Sequence, residues 1–144
     1  SHKNMTPDQE IVSGFIQEHK IAVLSTVTHD FLPESAVMGI YPGPNFEIFF
    51  GTLKDSRKYQ NLTKNPRISL VIGWDQGRTV QYEGEAKEFS GSELQEFEKA
   101  HLGEMPTAAK YTSDQNAAFF KVTPRWIKYT NASNDPWDEI EIRF

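Results

Sequence analysis

The most informative stretch of the sequence is GTLKDSRK, residues 51–58, which is followed after a short interval by NPR at residues 65–67. The Asn-Pro pair predicts the end of a short helix that begins near residue 56, because the residue before a proline disfavours helical geometry. Three cations, Lys54, Arg57 and Lys58, therefore cluster at the start of a predicted helix. A helix start is already the positive end of the helix dipole, so a bound dianion would explain why cations lie there.

The groups around this helix start suit a phosphate. The hydroxyls of Thr52 and Ser56, the free amides of the first helical turn, and the side chains of Arg57 and Lys58 could converge on one dianion. The spacing alone also fits a basic turn that contacts only solvent. Both interpretations stay open at this point.

The segments on either side of residues 51–58 are short and of β type, with β-branched and aromatic residues in alternation. Strands are predicted at residues 21–28, 34–41, 46–52, 67–74, 79–89 and 118–130, the last interrupted near Pro124, with a short final strand at 139–144. Several connections are too short for parallel crossovers, so the strands must pair antiparallel. We therefore expect a mainly β fold of about six antiparallel strands, closed into a small barrel that removes free sheet edges.

Three helices are predicted between or before these strands. An N-terminal helix follows the capping box that begins at Thr6. Asp55 is a candidate cap for the central helix over residues 56–64. Ser90 and Glu93 have the spacing of a second capping box and predict a helix after the fifth strand.

Length and composition limit the possible functions. The 144 residues fit one domain spanning 1–144, and the net charge of −5 counts against a nucleic-acid partner. The absence of cysteine excludes disulfides and thiolate chemistry, and the histidines show no metal-ligand spacing. No apolar run approaches a membrane span, and no signal-peptide pattern opens the chain. A cytoplasmic protein that binds neither metal, membrane nor nucleic acid is expected.

Thr52, the Ser-Arg-Lys run at 56–58 and the Asn-Pro-Arg run at 65–67 together resemble the motif of the pyridoxamine 5′-phosphate oxidase-like flavoproteins. The resemblance implies a split β-barrel that binds FMN as a homodimer, with the flavin at the subunit interface. It places Thr52, Ser56, Arg57 and Lys58 at the FMN phosphate and ribityl chain, and the neighbouring Gly51 and Lys54 are further candidate cofactor-binding residues. It also places the backbone amides of the strand over residues 36–41, which includes Ala36, Val37 and Met38, at the isoalloxazine ring, and it places Thr79 and Trp126 near the flavin at the dimer cleft.

The chain departs from the oxidases where they hold their substrate. Ala36 replaces an arginine, Tyr41 replaces a lysine, and the tail at residues 122–129 lacks the family's histidine. The protein is therefore predicted to be a poor pyridoxamine 5′-phosphate oxidase. Its tail resembles more closely the general-stress-protein branch of the same superfamily.

Four functional hypotheses follow from the resemblance and its departures. The leading one is a flavin-dependent oxidoreductase acting on an unidentified small substrate, for which the flavin supplies the redox chemistry. The others are a non-catalytic flavin carrier or sensor, a reductase that uses the deazaflavin F420, and a structural barrel whose basic turn binds nothing.

Overall fold

The computed structural model describes residues 4–101 and 115–144. The mainly β, antiparallel split-barrel fold expected from the sequence is confirmed, with eight strands instead of about six because a two-residue strand and a C-terminal strand join the sheet. The helices are α1 (Pro7–Gln17), α2 (Arg57–Lys64) and α3 (Ser92–His101). The strands are β1 (Ile21–Val27), β2 (Pro33–Gly39), β3 (Tyr41–Pro42), β4 (Ile48–Leu53), β5 (Arg67–Ile72), β6 (Arg78–Phe89), β7 (Ala117–Asn131) and β8 (Asp138–Arg143).

The order of the strands explains both the barrel and its split. Neighbouring strands follow the order β2-β1-β5-β6-β7-β4-β3, and β8 pairs with the second half of β7. The two ends of this order, β2 and β3, are one chain segment divided only by Ile40. The sheet therefore curls until its ends meet in that segment. Within the described residues β2 pairs with β1 and not with β4, so the barrel stays open between β2 and β4.

The barrel interior is filled by alternate residues of the strands, as their period of two requires. Phe50 of β4 is fully buried and stacks on Phe120 of β7, with ring centroids 5.2 Å apart. Tyr82 of β6 is also fully buried, and its hydroxyl donates to the carbonyl oxygen of Phe46 at 2.6 Å. Burial raises the pKa of the Tyr82 hydroxyl, which therefore stays protonated as a structural donor.

Pro124 does not interrupt the long strand in which it lies, contrary to the expectation from sequence. β7 is continuous, and its register against β6 shifts between Glu83 and Gly84, opposite Pro124. A β-bulge at this point accommodates the proline, which has no N–H for the ladder. Gly84 is required here because a Cβ atom would lie 2.5 Å from the Thr123 carbonyl oxygen.

The predicted helix starts are partly correct. The capping box of α1 is confirmed: the Gln9 amide donates to Thr6 Oγ1 at 3.1 Å, and the Thr6 amide donates to Gln9 Oε1 at 3.0 Å. The cap predicted at Ser90 is wrong, because the first helical bond of α3 runs from the Gln95 amide to the Gly91 carbonyl. None of the helices in the described residues has the length and apolar character to cross a bilayer.

Candidate functional site

The open seam between β2 and β4 contains a cavity of about 380 Å³. Its described lining comprises Val37, Met38, Gly39, Tyr41, Gly51, Thr52, Leu53, Asp55, Ser56, Lys58 and Phe119. Six of the residues predicted from sequence are in that lining: Val37, Met38, Gly51, Thr52, Ser56 and Lys58. Two stretches that are separate in the sequence thus form opposite walls of one cavity.

The β2 wall offers backbone groups as well as side chains. Because β2 pairs with β1 along one edge, its other edge faces the seam. Such an edge presents a row of N–H donors and C=O acceptors. A flat heteroaromatic ring with polar atoms on its rim could therefore be bound at this edge by hydrogen bonds to the backbone.

The opposite wall is built by the start of α2, and its cap differs from the prediction. Ser56, not Asp55, is the N-cap: its Oγ accepts from the Tyr59 amide at 3.2 Å. The same oxygen lies 2.9 Å from Oγ1 of Thr52, a buried residue at the end of β4. The cap thus fixes two hydroxyls side by side at the cavity.

The first amides of α2 add donors to this wall. The first intrahelical hydrogen bond runs from the Gln60 amide to the Ser56 carbonyl at 3.3 Å. The Arg57 and Lys58 amides precede it, and helix geometry gives them no intrahelical acceptor. With the positive end of the helix dipole, they make this wall attractive to an anion.

A second cavity, of about 220 Å³, is also lined by Lys58. Its described lining comprises Leu24, Thr26, Glu34, Ser35, Ala36, Arg57 and Lys58. Because Lys58 lines both cavities, they are neighbours, here called the two halves of the candidate site. Ala36 and Arg57, also predicted from sequence, belong to this second half.

Arg57 is ion-paired in this second half, which the sequence analysis did not foresee. Its Nη2 donates to Oε2 of Glu34. The other Glu34 oxygen accepts from Asn61 Nδ2 at 2.8 Å, and the same nitrogen donates to Thr26 Oγ1 at 2.9 Å. The hydrogen bonds from Arg57 and Asn61 lower the pKa of the Glu34 carboxyl, and the Glu34 hydrogen bond raises the pKa of Arg57.

Three predicted residues line neither half of the site. The Lys54 amide donates to the Asn116 carbonyl at 2.7 Å, and Lys54 lies in the turn between β4 and α2. Thr79 lies on β6 and Trp126 on β7, where the indole Nε1 donates to Oε2 of Glu141 at 2.7 Å. A contribution of Thr79 or Trp126 to a flavin site across a dimer interface stays a prediction.

Sequence reasoning missed the aromatic end of the cavity in the seam. Phe119 lies opposite Gly51 in the pairing of β4 with β7, and a Cβ atom on Gly51 would lie 2.9 Å from its ring. Tyr41, buried beside it, packs edge-on against Phe97 of α3 at 5.1 Å. No local pattern signals these contacts, because they depend on how distant strands pair.

A larger cavity, of about 440 Å³, lies on the outer face of β1, β5 and β6 but has weaker chemical character. Its cations, Arg67 and Arg125, are accompanied by Glu83 and Glu85, and Arg125 Nη1 is 3.2 Å from Glu85 Oε2. Opposite charges in such proximity cancel, so volume alone does not make this the anion site.

Comparison with known proteins identifies the family of the chain. The family profile described as pyridoxamine 5′-phosphate oxidase matches residues 8–131. Two curated relatives are pyridoxine/pyridoxamine 5′-phosphate oxidases. The protein from Bacteroides thetaiotaomicron is 27% identical over 90% of this chain, and that from Ehrlichia ruminantium is 29% identical over 57% of it. The chain spans only 65% and 43% of the length of these two relatives.

Solved structures share the architecture. General stress protein 26 from Bacillus anthracis is 26% identical, with a TM-score of 0.69 over 94% of this chain and 97% of its own. An FMN-binding, pyridoxamine 5′-phosphate oxidase-related protein from Nostoc punctiforme has a TM-score of 0.72 at 12% identity, covering 98% and 99%. A heme-binding protein from Mycobacterium smegmatis has a TM-score of 0.82 at 15% identity, covering 96% and 59%. The last two similarities bear on the fold alone.

Proposed function

The chain belongs to the pyridoxamine 5′-phosphate oxidase family, and from that membership we propose that it binds FMN in the seam between β2 and β4. The observation that carries the proposal is the convergence of the Thr52 and Ser56 hydroxyls, the first amides of α2 and the Lys58 side chain on one wall. This set of donors suits a phosphate group.

The donor set fits FMN along the whole site. Lys58, Arg57 and the α2 amides would hold the phosphate, with the Ser56 and Thr52 hydroxyls beside them. The open edge of β2 would hold the polar rim of the ring through backbone hydrogen bonds. When bound, FMN would supply the redox chemistry, and the protein would supply position, charge and exclusion of water.

We further propose that the protein is an oxidoreductase for a small substrate that lacks a phosphate. Ala36 and Tyr41 put no cation where the oxidases hold their substrate, and Tyr41 is buried against Phe97.

Reduction of FMN-loaded protein by NAD(P)H, followed by reoxidation in multiple turnovers, would support the enzyme. One flavin that stays bound and is never turned over would favour the carrier or sensor. Preferential binding of F420 would favour the deazaflavin alternative.

Adding FMN to the flavin-free protein should give one bound flavin per chain, detected as a change in the visible flavin spectrum and as loss of flavin fluorescence. Hemin is the matched comparison, because a structural neighbour binds heme. The described residues that line the two halves of the site include no histidine, so hemin should not compete with FMN. Displacement of FMN by hemin, or no saturable binding of FMN, would contradict the proposal.

We also propose that the protein is a homodimer whose second subunit covers the site. Val23 of β1 lies directly opposite Val37 of β2 on one side and Val71 of β5 on the other, and the three form a row on the outer face of the sheet. Val37 is 64% exposed and also lines the cavity in the seam, and Ile21 on the same face is 49% exposed. A partner packed on this apolar patch would shield both the patch and the seam.

Val37→Glu should therefore weaken the dimer by about 100-fold or more, because a two-fold axis places one unpaired charge from each subunit in the interface. Sedimentation velocity across a micromolar concentration series measures the change. Ile11→Glu is the matched control, since Ile11 is 50% exposed on α1, away from the patch. A wild-type monomer that still binds FMN tightly would exclude the dimer.

A further inference from the structure

The Glu34 carboxylate lines the same half of the site as Arg57 and Lys58, which are proposed to bind the FMN phosphate, itself a dianion. We infer that Glu34 competes with the FMN phosphate for the Arg57 guanidinium and thereby limits how strongly the protein binds FMN. The inference rests on the proposed function, because it assigns a role to a residue of the same site. Glu34 would thus reduce the preference for FMN over riboflavin without affecting the binding of the flavin ring.

The carboxylate is the fixed member of the pair. The Glu34 side chain is 22% exposed, and it accepts a hydrogen bond from Asn61, which is buried and also bonded to the buried Thr26. The Arg57 side chain is 78% exposed and is therefore the member that can move. Any exchange of partners must take place by rotation of the guanidinium away from Glu34.

The pairing makes the two cations of the site unequal. Arg57 is neutralised by Glu34, whereas Lys58 forms no ion pair with any residue that the structure describes. A phosphate can use Lys58 directly, but it can use Arg57 only by displacing or sharing the Glu34 hydrogen bond. This competition opposes FMN and leaves riboflavin, which has no phosphate, unaffected.

Glu34→Gln tests this inference with little change of shape, because the amide oxygen can still accept from Asn61. FMN should bind about 10-fold more tightly, which is the lower end of what one charge-assisted hydrogen bond contributes. Riboflavin affinity should stay the same. Glu47→Gln is the matched control: it removes the same charge from a carboxylate that lies 4.0 Å from Lys121, outside both halves of the site.

A double-mutant cycle separates competition for Arg57 from a general charge effect. In an Arg57→Ala background, Glu34→Gln should change FMN affinity by less than about threefold. Weaker or unchanged FMN binding by Glu34→Gln would overturn the inference, as would an equal gain with and without Arg57. If the wild type does not prefer FMN over riboflavin, the proposed function fails too; if it does and Glu34→Gln is silent, only the inference fails.

A measurement on the wild type needs no substitution at Glu34. The Arg57 Nε–H signal, assigned by NMR with Arg57→Lys, should shift when FMN is added and should not shift with riboflavin. A signal that is unchanged by FMN would show that the guanidinium does not exchange partners, and would overturn the inference even if Glu34→Gln fails to fold.

Discussion

Replacing Arg57 and Lys58 together by alanine should weaken FMN binding by about 10²- to 10⁴-fold and leave riboflavin binding unchanged. Each side chain is proposed to give the phosphate a charge-assisted hydrogen bond worth about 1.5–3 kcal/mol. At about 1.4 kcal/mol per factor of ten, each loss corresponds to roughly one or two orders of magnitude. Fluorescence titrations of both flavins measure the change.

The control for this double variant is Lys54→Ala. Lys54 belongs to the same basic stretch but lines neither half of the site. Its removal should change FMN affinity by less than about threefold, since exposed charges act weakly through water. If the double variant loses affinity for FMN and riboflavin equally, the two cations support the shape of the cavity instead of binding the phosphate.

The other large expected effect is on stability. Phe50→Ala should lower the free energy of unfolding by about 3–5 kcal/mol, the usual cost of emptying a buried aromatic site. Phe50 is fully buried in the barrel interior, and its ring is stacked on Phe120. For a domain of this size the loss corresponds to a fall of roughly 10–20 °C in Tm.

Urea unfolding followed by far-UV circular dichroism measures the Phe50 effect, and Phe50→Leu is the conservative control. Leucine keeps most of the apolar volume and should cost less than half as much. A loss below about 1 kcal/mol for Phe50→Ala would contradict the packing of β4 inside the barrel. Excess FMN should partly restore the Tm of the alanine variant, because a ligand that binds only the folded state stabilises it.

The parts of this protein that sequence predicts well are those set by local chemistry. The helix before β5 ends at its Asn-Pro pair because proline disfavours helical geometry in the residue before it. Thr52, Ser56 and Lys58 lie together at the cavity because one strand end and one helix start contain all three. Even so, Ser56 displaces Asp55 as the cap, since neighbouring residues of similar capping propensity cannot be ranked without the turn geometry.

The parts that sequence predicts poorly depend on long-range pairing. Glu34 lies 23 residues before Arg57, and only the position of β2 beside α2 brings them together. Phe119 reaches Gly51 only through the register of β7 against β4. Pro124 suggested a broken strand, but a bulge in the pairing with β6 compensates for its missing N–H.

The most direct test of the phosphate site is the ratio of the wild-type dissociation constants for riboflavin and FMN, measured by titration of the flavin-free protein under identical conditions. The two ligands share the ring and the ribityl chain and differ in the phosphate. The proposed contacts predict that FMN binds at least about 100-fold more tightly. Equal affinities would contradict the account and leave Arg57 and Lys58 without a role in binding the phosphate.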